Sequence, residues 1–366
     1  MGKMEKRLFN FSSGPAVLPV LVLERIRDEM LCLPGCGASV MELSHRSKQF
    51  IAIQEAAKQR LIRLLNIPSD YEVLFLQGGA RLQFSMIPMN LLRGNAGPAQ
   101  YVLTGSWGKY AIGEAKREGK VETIYDSAAT NYDRIPTETE LKIRSDAAYV
   151  HITSNETIQG VQFQHDLNSP APLVCDCSSD ILHRPIDVSR YGLIYACAQK
   201  NAGPAGVTVV IIRKDLLARS SDELPGYLNF KNHAKEESMW NTPPTFAVYV
   251  LGLVTEWVEK TIGGLVAMHK NNQEKAKWVY DAIDRHPAMY LAHAQKPSRS
   301  LMNATFRFPN EDLEKAFLTQ AQAIGLDSLK GHRSVGGIRA SIYNAMPMAG
   351  VQTLSQLMDD FASQNA

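Results

Sequence analysis

Cysteine is scarce in this chain: five residues in 366, an odd number, at positions 32, 36, 175, 177 and 197. That excludes a fully paired disulfide framework. Cys175, Cys177 and Cys197 stand in apolar, strand-like runs. Cys175 and Cys177 share a strand face opposite Asp176, and no His or Cys set completes a metal site around them. They read as reduced core thiols, and no metal is expected. Charge of one sign is also lacking. Lys and Arg number 39 against 37 Asp and Glu, a net of +2, so the broad basic face of a nucleic-acid binder is not expected. No apolar run approaches membrane-spanning length. The stretch Leu18–Leu23 is short and preceded by charges and Pro15, unlike a secretory signal. Gly2 lacks the Ser or Thr at position 6 that myristoylation wants, since Lys6 stands there. Internal repeats and low-complexity tracts are absent. The expectation is a soluble, cytoplasmic protein with no membrane partner and, from its length, two domains and a large core.

The most informative stretch is Leu193–Gly206, LIYACAQKNAGPAG. Leu193 to Ala198 is a short apolar run of buried-strand length. Gln199 and Lys200 follow, and then a loop of Asn, Ala, Gly and Pro. A lysine at that lip either snorkels to solvent or is kept partly desolvated. Desolvation lowers an amine's pKa and makes it a nucleophile. A second apolar strand, Leu173–Asp176, ends in a carboxylate. An amine and a carboxylate at neighbouring strand ends are what pyridoxal 5′-phosphate (PLP) requires. The lysine holds the aldehyde carbon, and the aspartate keeps the pyridine nitrogen protonated.

Several other stretches bear on the same chemistry. His45 and Arg46 precede a helix marked by Phe50, Ile53, Ala57, Leu61 and Leu64. Cations there sit poorly against the helix dipole unless an anion joins them; the alternative is a solvated cap region. Val73–Leu76 reads as a strand, and Gln77-Gly78-Gly79-Ala80-Arg81 leads into a helix. That order suits a phosphate cradle, though the Gly-Lys-Ser/Thr ending of a P-loop is missing, and a tight turn explains the two glycines equally well. Trp107, in a glycine-bordered loop, either stacks on a flat ligand or packs beneath the loop. Asn241-Thr242-Pro243-Pro244 excludes regular structure. Near the C-terminus, His332, Arg333 and Arg339 are three cations in eight residues, flanked by glycines and with no acid between them. They form either a solvated face or an anion pocket. Strand–helix alternation from Val73 predicts an α/β region with a mainly parallel sheet, whose ligands gather at the carboxyl ends of strands. A smaller α+β region follows.

The segments NFSSGPA, SHR at 44–46, SRYGLIYACAQKNAGPAG, NTPPTF and GHRSVGGIRASIYNAMP closely resemble the phosphoserine aminotransferase family, nearly end to end. That resemblance implies PLP-dependent fold type I. It implies a large domain (16–259) with a mainly parallel seven-stranded sheet and a small α+β domain (260–366, with 1–15). It implies transamination between glutamate and 3-phosphohydroxypyruvate, giving O-phosphoserine and 2-oxoglutarate in serine biosynthesis. A phosphorylated hydroxythreonine of pyridoxine biosynthesis is a further substrate. Lys200 and Asp176 are then catalytic. Ala80, Arg81, Trp107, Thr157, Gln199, Asn241 and Thr242 contact PLP, the last two from the neighbouring subunit of a homodimer. Arg339 clamps the α-carboxylate, and His45, Arg46, His332 and Arg333 surround the phosphate. Three residues depart from the family pattern. Ala80 and Leu82 stand where glycine is expected, and Asp180, where a small neutral residue is expected, is either on the surface or adds charge near the site. Rival readings are an alanine–glyoxylate-type transaminase, a cysteine desulfurase, and a nucleotide-binding module using Gly78-Gly79.

Overall fold

Seven apolar runs become one sheet. The strands are β1 (Tyr71–Leu76), β2 (Ala99–Leu103), β3 (Val121–Asp126), β4 (Tyr149–Thr153), β5 (Leu173–Asp176), β6 (Leu193–Cys197) and β7 (Thr208–Arg213). Their spatial order is β1-β7-β6-β5-β4-β2-β3. All neighbours run parallel except β7, which is antiparallel to both β1 and β6. The computed structural model describes residues 7–365; Gly2 and Lys6 lie outside them.

Successive side chains of a strand point to opposite faces, and both faces are covered. Ile152, Cys175, Ile194 and Val209 face a core that includes Phe50 and Leu61 of the helix Lys48–Leu65. Tyr149, Val174, Tyr195 and Val210 face Phe84, Met86 and Ile87 of the helix Gly79–Leu91. Each such aliphatic side chain contributes about 1.5–3 kcal/mol by leaving water. Parallel register aligns the carboxyl ends of the central strands. Thr153 sits opposite Asp176, and Asp176 opposite Tyr195. Residues 154–157, 176 and 199–200 therefore share one lip of the sheet.

A second core forms around an antiparallel sheet of Leu291–Ala292, Asn303–Arg307 and Ile338–Ser341. Phe306, Phe317, Val351 and Phe361 fill it, with Val279 from the helix Leu265–Arg285. Phe11 belongs to this core, and Phe9–Asn10 pairs with Leu326–Asp327.

Three local features concern the helices. One helix begins at Ser106, where acceptors from a distant segment satisfy its first N–H groups. Residues 226–246 hold a short helix, Phe230–Lys235, capped by the Asn229 side chain. The helix from Thr245 is α-helical only to Glu256 and continues as a π-helix over Trp257–Ile262.

Candidate active site

Lys200 leaves the end of β6 half-buried. Its Nζ donates to Thr157 Oγ1 at 2.6 Å and lies 5.3 Å from the ring centroid of Trp107. Asp176, the last residue of β5, is buried. Its Oδ1 accepts the Ser178 N–H at 2.9 Å. Burial pushes the Asp176 carboxyl up, while Ser178 and the Lys200 charge pull it down. A cavity of about 320 Å³ joins these residues to Gln199, Gly78–Arg81, His332 and Arg339.

The turn after β1 works as local chemistry dictates. Gly78 has φ +81°, and a Cβ there would lie 2.6 Å from Leu82 Cβ. Leu82 thus closes over the turn and leaves room only for glycine at 78. Ala80 lies within the helix Gly79–Leu91, so its side chain costs the cradle nothing. The first N–H groups of this helix, at Gly79, Ala80 and Arg81, have no intrahelical acceptor. They open on the cavity together with the positive end of the helix. The Arg81 guanidinium turns aside to stack 4.0 Å from the Tyr110 ring centroid.

Not every expected residue meets here. His332 and Arg339 line the cavity, whereas Arg333 is exposed on the adjoining turn. Among the described residues no carboxylate pairs with Arg339, whose guanidinium burial holds below its ordinary value. Burial and then the charges of Arg339 and Arg333 lower the His332 imidazole. His45 and Arg46 lie in the turn before the helix Lys48–Leu65, with Ser47 as its cap, and neither lines the cavity of its own chain. Asn241 donates to Gln77 Oε1 at 3.1 Å, and the Thr242 carbonyl accepts from Gln77 Nε2 at 3.1 Å. Both therefore stand beside the glycine turn, outside the cavity lining. Asp180 is buried, which removes the surface alternative. It accepts from Ser154 Oγ at 2.5 Å and Gln162 Nε2 at 3.1 Å, while the Ser154 N–H holds the Asp176 carbonyl at 3.0 Å.

Two features were not foreseen. Ser13 and Gly14 wall the cavity next to Lys200, and the Ala16 N–H donates to the Gln199 carbonyl at 2.8 Å. The turn-rich N-terminal segment signals a loop, but nothing in it says which loop it meets. Glu156 is wholly buried beside Thr157; an acid one residue from a candidate contact was the available signal. Among the described residues, no group of three or more His, Cys, Asp or Glu is placed to hold a metal ion, and no helix is long and apolar enough to cross a membrane.

The cavity fits PLP. It offers an amine, a buried carboxylate with free acceptor capacity, unpaired helix N–H groups for a phosphate, and a flat ring. The Nε1 of that ring, on Trp107, is buried without a partner. Fold and site define a PLP-dependent transferase of fold type I. The chain belongs to the class V aminotransferases, whose family model matches residues 8–354. A phosphoserine aminotransferase of Rhodopirellula baltica is 56% identical over 99% of this chain and 96% of its own length. The solved phosphoserine aminotransferase of Bacillus circulans subsp. alkalophilus is 46% identical, with a TM-score of 0.96 over 99% of this chain and all of its own. A PLP-bound phosphoserine aminotransferase from Trichomonas vaginalis is 42% identical, with a TM-score of 0.91 over 96% of this chain and 100% of that one.

Proposed function

We propose that this aminotransferase exchanges an amino group between glutamate and 3-phosphohydroxypyruvate, forming O-phosphoserine and 2-oxoglutarate. The observation that carries the substrate assignment is the pair His332 and Arg339 in the lining of the Lys200 cavity, with Arg333 exposed on the adjoining turn. One fork-shaped cation suffices for an α-carboxylate. A substrate with a second anionic group of nearly two charges needs more. Arg339, half-buried inside the cavity, is assigned the α-carboxylate that both substrates share. His332 and Arg333 are assigned the distal anion.

PLP, when bound, supplies a carbonyl carbon for amine exchange and a ring that takes up the electrons released at the α-carbon. The chain's own residues do the rest. Gly79, Ala80 and Arg81 would present N–H groups to the phosphate. Asp176 would hold the ring nitrogen and keep its proton there. Thr157 holds Lys200 Nζ beside the Trp107 face until substrate arrives. With the cofactor present, the Lys200 amine would take the α-proton of the substrate.

Asn241, Thr242, His45 and Arg46 lie outside the cavity of their own chain, so they can serve a site only across a subunit boundary. We propose a homodimer with shared sites. Light scattering at micromolar concentration is expected to give twice the chain mass; an active monomer would sink this arrangement.

The substrate assignment is tested by kcat/KM for both amino donors in two variants. Arg339→Leu is expected to depress glutamate and phosphoserine alike. Arg333→Leu is expected to depress phosphoserine more than glutamate, by about 1–3 kcal/mol or roughly 5- to 150-fold. Equal losses in Arg333→Leu would reopen the identity of the substrate.

A further inference from the structure

The Glu156 carboxylate is fully buried beside the cavity, and the roles assigned so far leave it unused. It lies in the two-residue strand Asn155–Glu156, one position before Thr157. The helix Ser106–Ala115 starts without a cap of its own, because Gly105 at its N-cap has no side chain. Glu156 supplies one from a distance. Its Oε2 accepts the Trp107 N–H at 3.0 Å and its Oε1 the Gly108 N–H at 2.9 Å. A carboxylate there satisfies two orphan donors and faces the positive end of the helix. The approach is close enough to require glycine at 105, where a Cβ would lie 2.4 Å from Glu156 Cδ. Gln159 of the same hairpin accepts the Ser106 N–H at 3.3 Å and donates to Ser106 Oγ at 2.8 Å.

The segment 155–159 therefore grips two parts of the site at once. Thr157 takes Lys200, and Glu156 takes the backbone that carries Trp107. Burial raises the Glu156 carboxyl to about 7. The Gly108 and Trp107 N–H groups oppose that rise, as does the Lys200 charge, while the Asp176 charge adds to it.

We infer that Glu156 is a positioning residue for the cofactor, holding the Trp107 indole over the Lys200 cavity from the end of a neighbouring strand. This rests on the reading of Trp107 as the ring against which PLP lies. Glu156→Gln keeps the size but turns an NH2 toward one of the two donors. Gly105→Ala keeps the carboxylate and displaces it.

The Kd for PLP, read by equilibrium dialysis and by quenching of tryptophan fluorescence, is to be measured in Glu156→Gln, Gly105→Ala, Trp107→Phe and the Glu156→Gln/Trp107→Phe double variant. Glu156→Gln and Gly105→Ala are each expected to weaken PLP on the order of tenfold. In the Trp107→Phe background, Glu156→Gln is expected to add nothing. Unchanged PLP affinity in Trp107→Phe alone would remove the tryptophan reading and this inference with it. If Trp107→Phe weakens PLP while Glu156→Gln does not, or if the two losses add, Glu156 is refuted and Trp107 stands. Should Glu156→Gln not fold, a folded Gly105→Ala with normal PLP affinity refutes the inference by itself.

Discussion

Lys200→Ala is expected to remove nearly all turnover, a loss of about 10³-fold or more. The proton transfer alone accounts for about 10²–10⁴, and the covalent step that needs this amine is lost with it. The geometry singles out this lysine. Its Nζ lies within reach of Thr157 and of the Trp107 face, inside the same cavity as Asp176. Lys275 is the competing buried amine. It is pulled down to about 7 by burial, but it spends its hydrogens on the carbonyls of Ile342, Tyr343 and Asn344, away from the Lys200 cavity. Alanine at 200 leaves the helix N–H groups untouched, so PLP is expected to bind through its phosphate while the lysine-dependent visible absorbance disappears. The check is the absorbance spectrum of the variant with PLP added, alongside its kcat. Survival of that band would show that another lysine is the nucleophile.

The placement of Lys200 and Asp176 at the lip of the sheet was legible because strand ends can be read locally. A short apolar run followed by a polar residue marks the lip of a buried parallel sheet, and β5 and β6 both have that form. The helix Glu311–Ala323 carries its own local signals, since Asn310 caps it and Glu311, Asp312 and Glu314 fill its first turn. What could not be read was contact between distant segments. Gly105 shows no cap because its cap is Glu156, on another strand. The N-terminal loop shows no sign of Lys200, because its partners are the Gln199 carbonyl and, through the Ser13 carbonyl, the Tyr343 hydroxyl. In the helix Lys48–Leu65 the apolar spacing marks Ile53 and Leu64, yet Gln54 and Leu65 are the residues buried. Gln54 is drawn inward because its Nε2 finds the Glu237 carbonyl at 2.8 Å. A polar residue held by a long-range hydrogen bond thus joins the buried face without leaving any mark on the apolar periodicity.

Asp176→Asn separates the two things this carboxylate does, and its expected effects run in opposite directions. In the protein without PLP, Asp176 is a buried acid whose pKa is raised, chiefly by burial and against the pull of Ser178 and Lys200. For a group raised in the folded state, the stability it contributes is fully present below the unfolded pKa. That stability is lost as pH rises through the folded one. At neutral pH, above the unfolded pKa, this carboxyl is therefore a net cost to the cofactor-free fold. Asparagine keeps the Oδ1 that accepts the Ser178 N–H and removes the charge. The cofactor-free variant is expected to melt at the same or a higher temperature at pH 7, and its advantage is expected to shrink toward acid pH. Turnover is expected to move the other way. Without an anion at 176 the ring nitrogen loses the partner that keeps it protonated, and removing such an electrostatic stabiliser costs on the order of 10²–10³ in kcat. The visible absorbance should stay near normal, because Lys200 is intact. Melting curves of the cofactor-free proteins across pH, together with kcat, decide it. Unchanged turnover in a folded Asp176→Asn protein would show that the ring nitrogen is held elsewhere. A fall in melting temperature at pH 7 would show that the charge supports the fold, so that the buried acid is structural first and catalytic second.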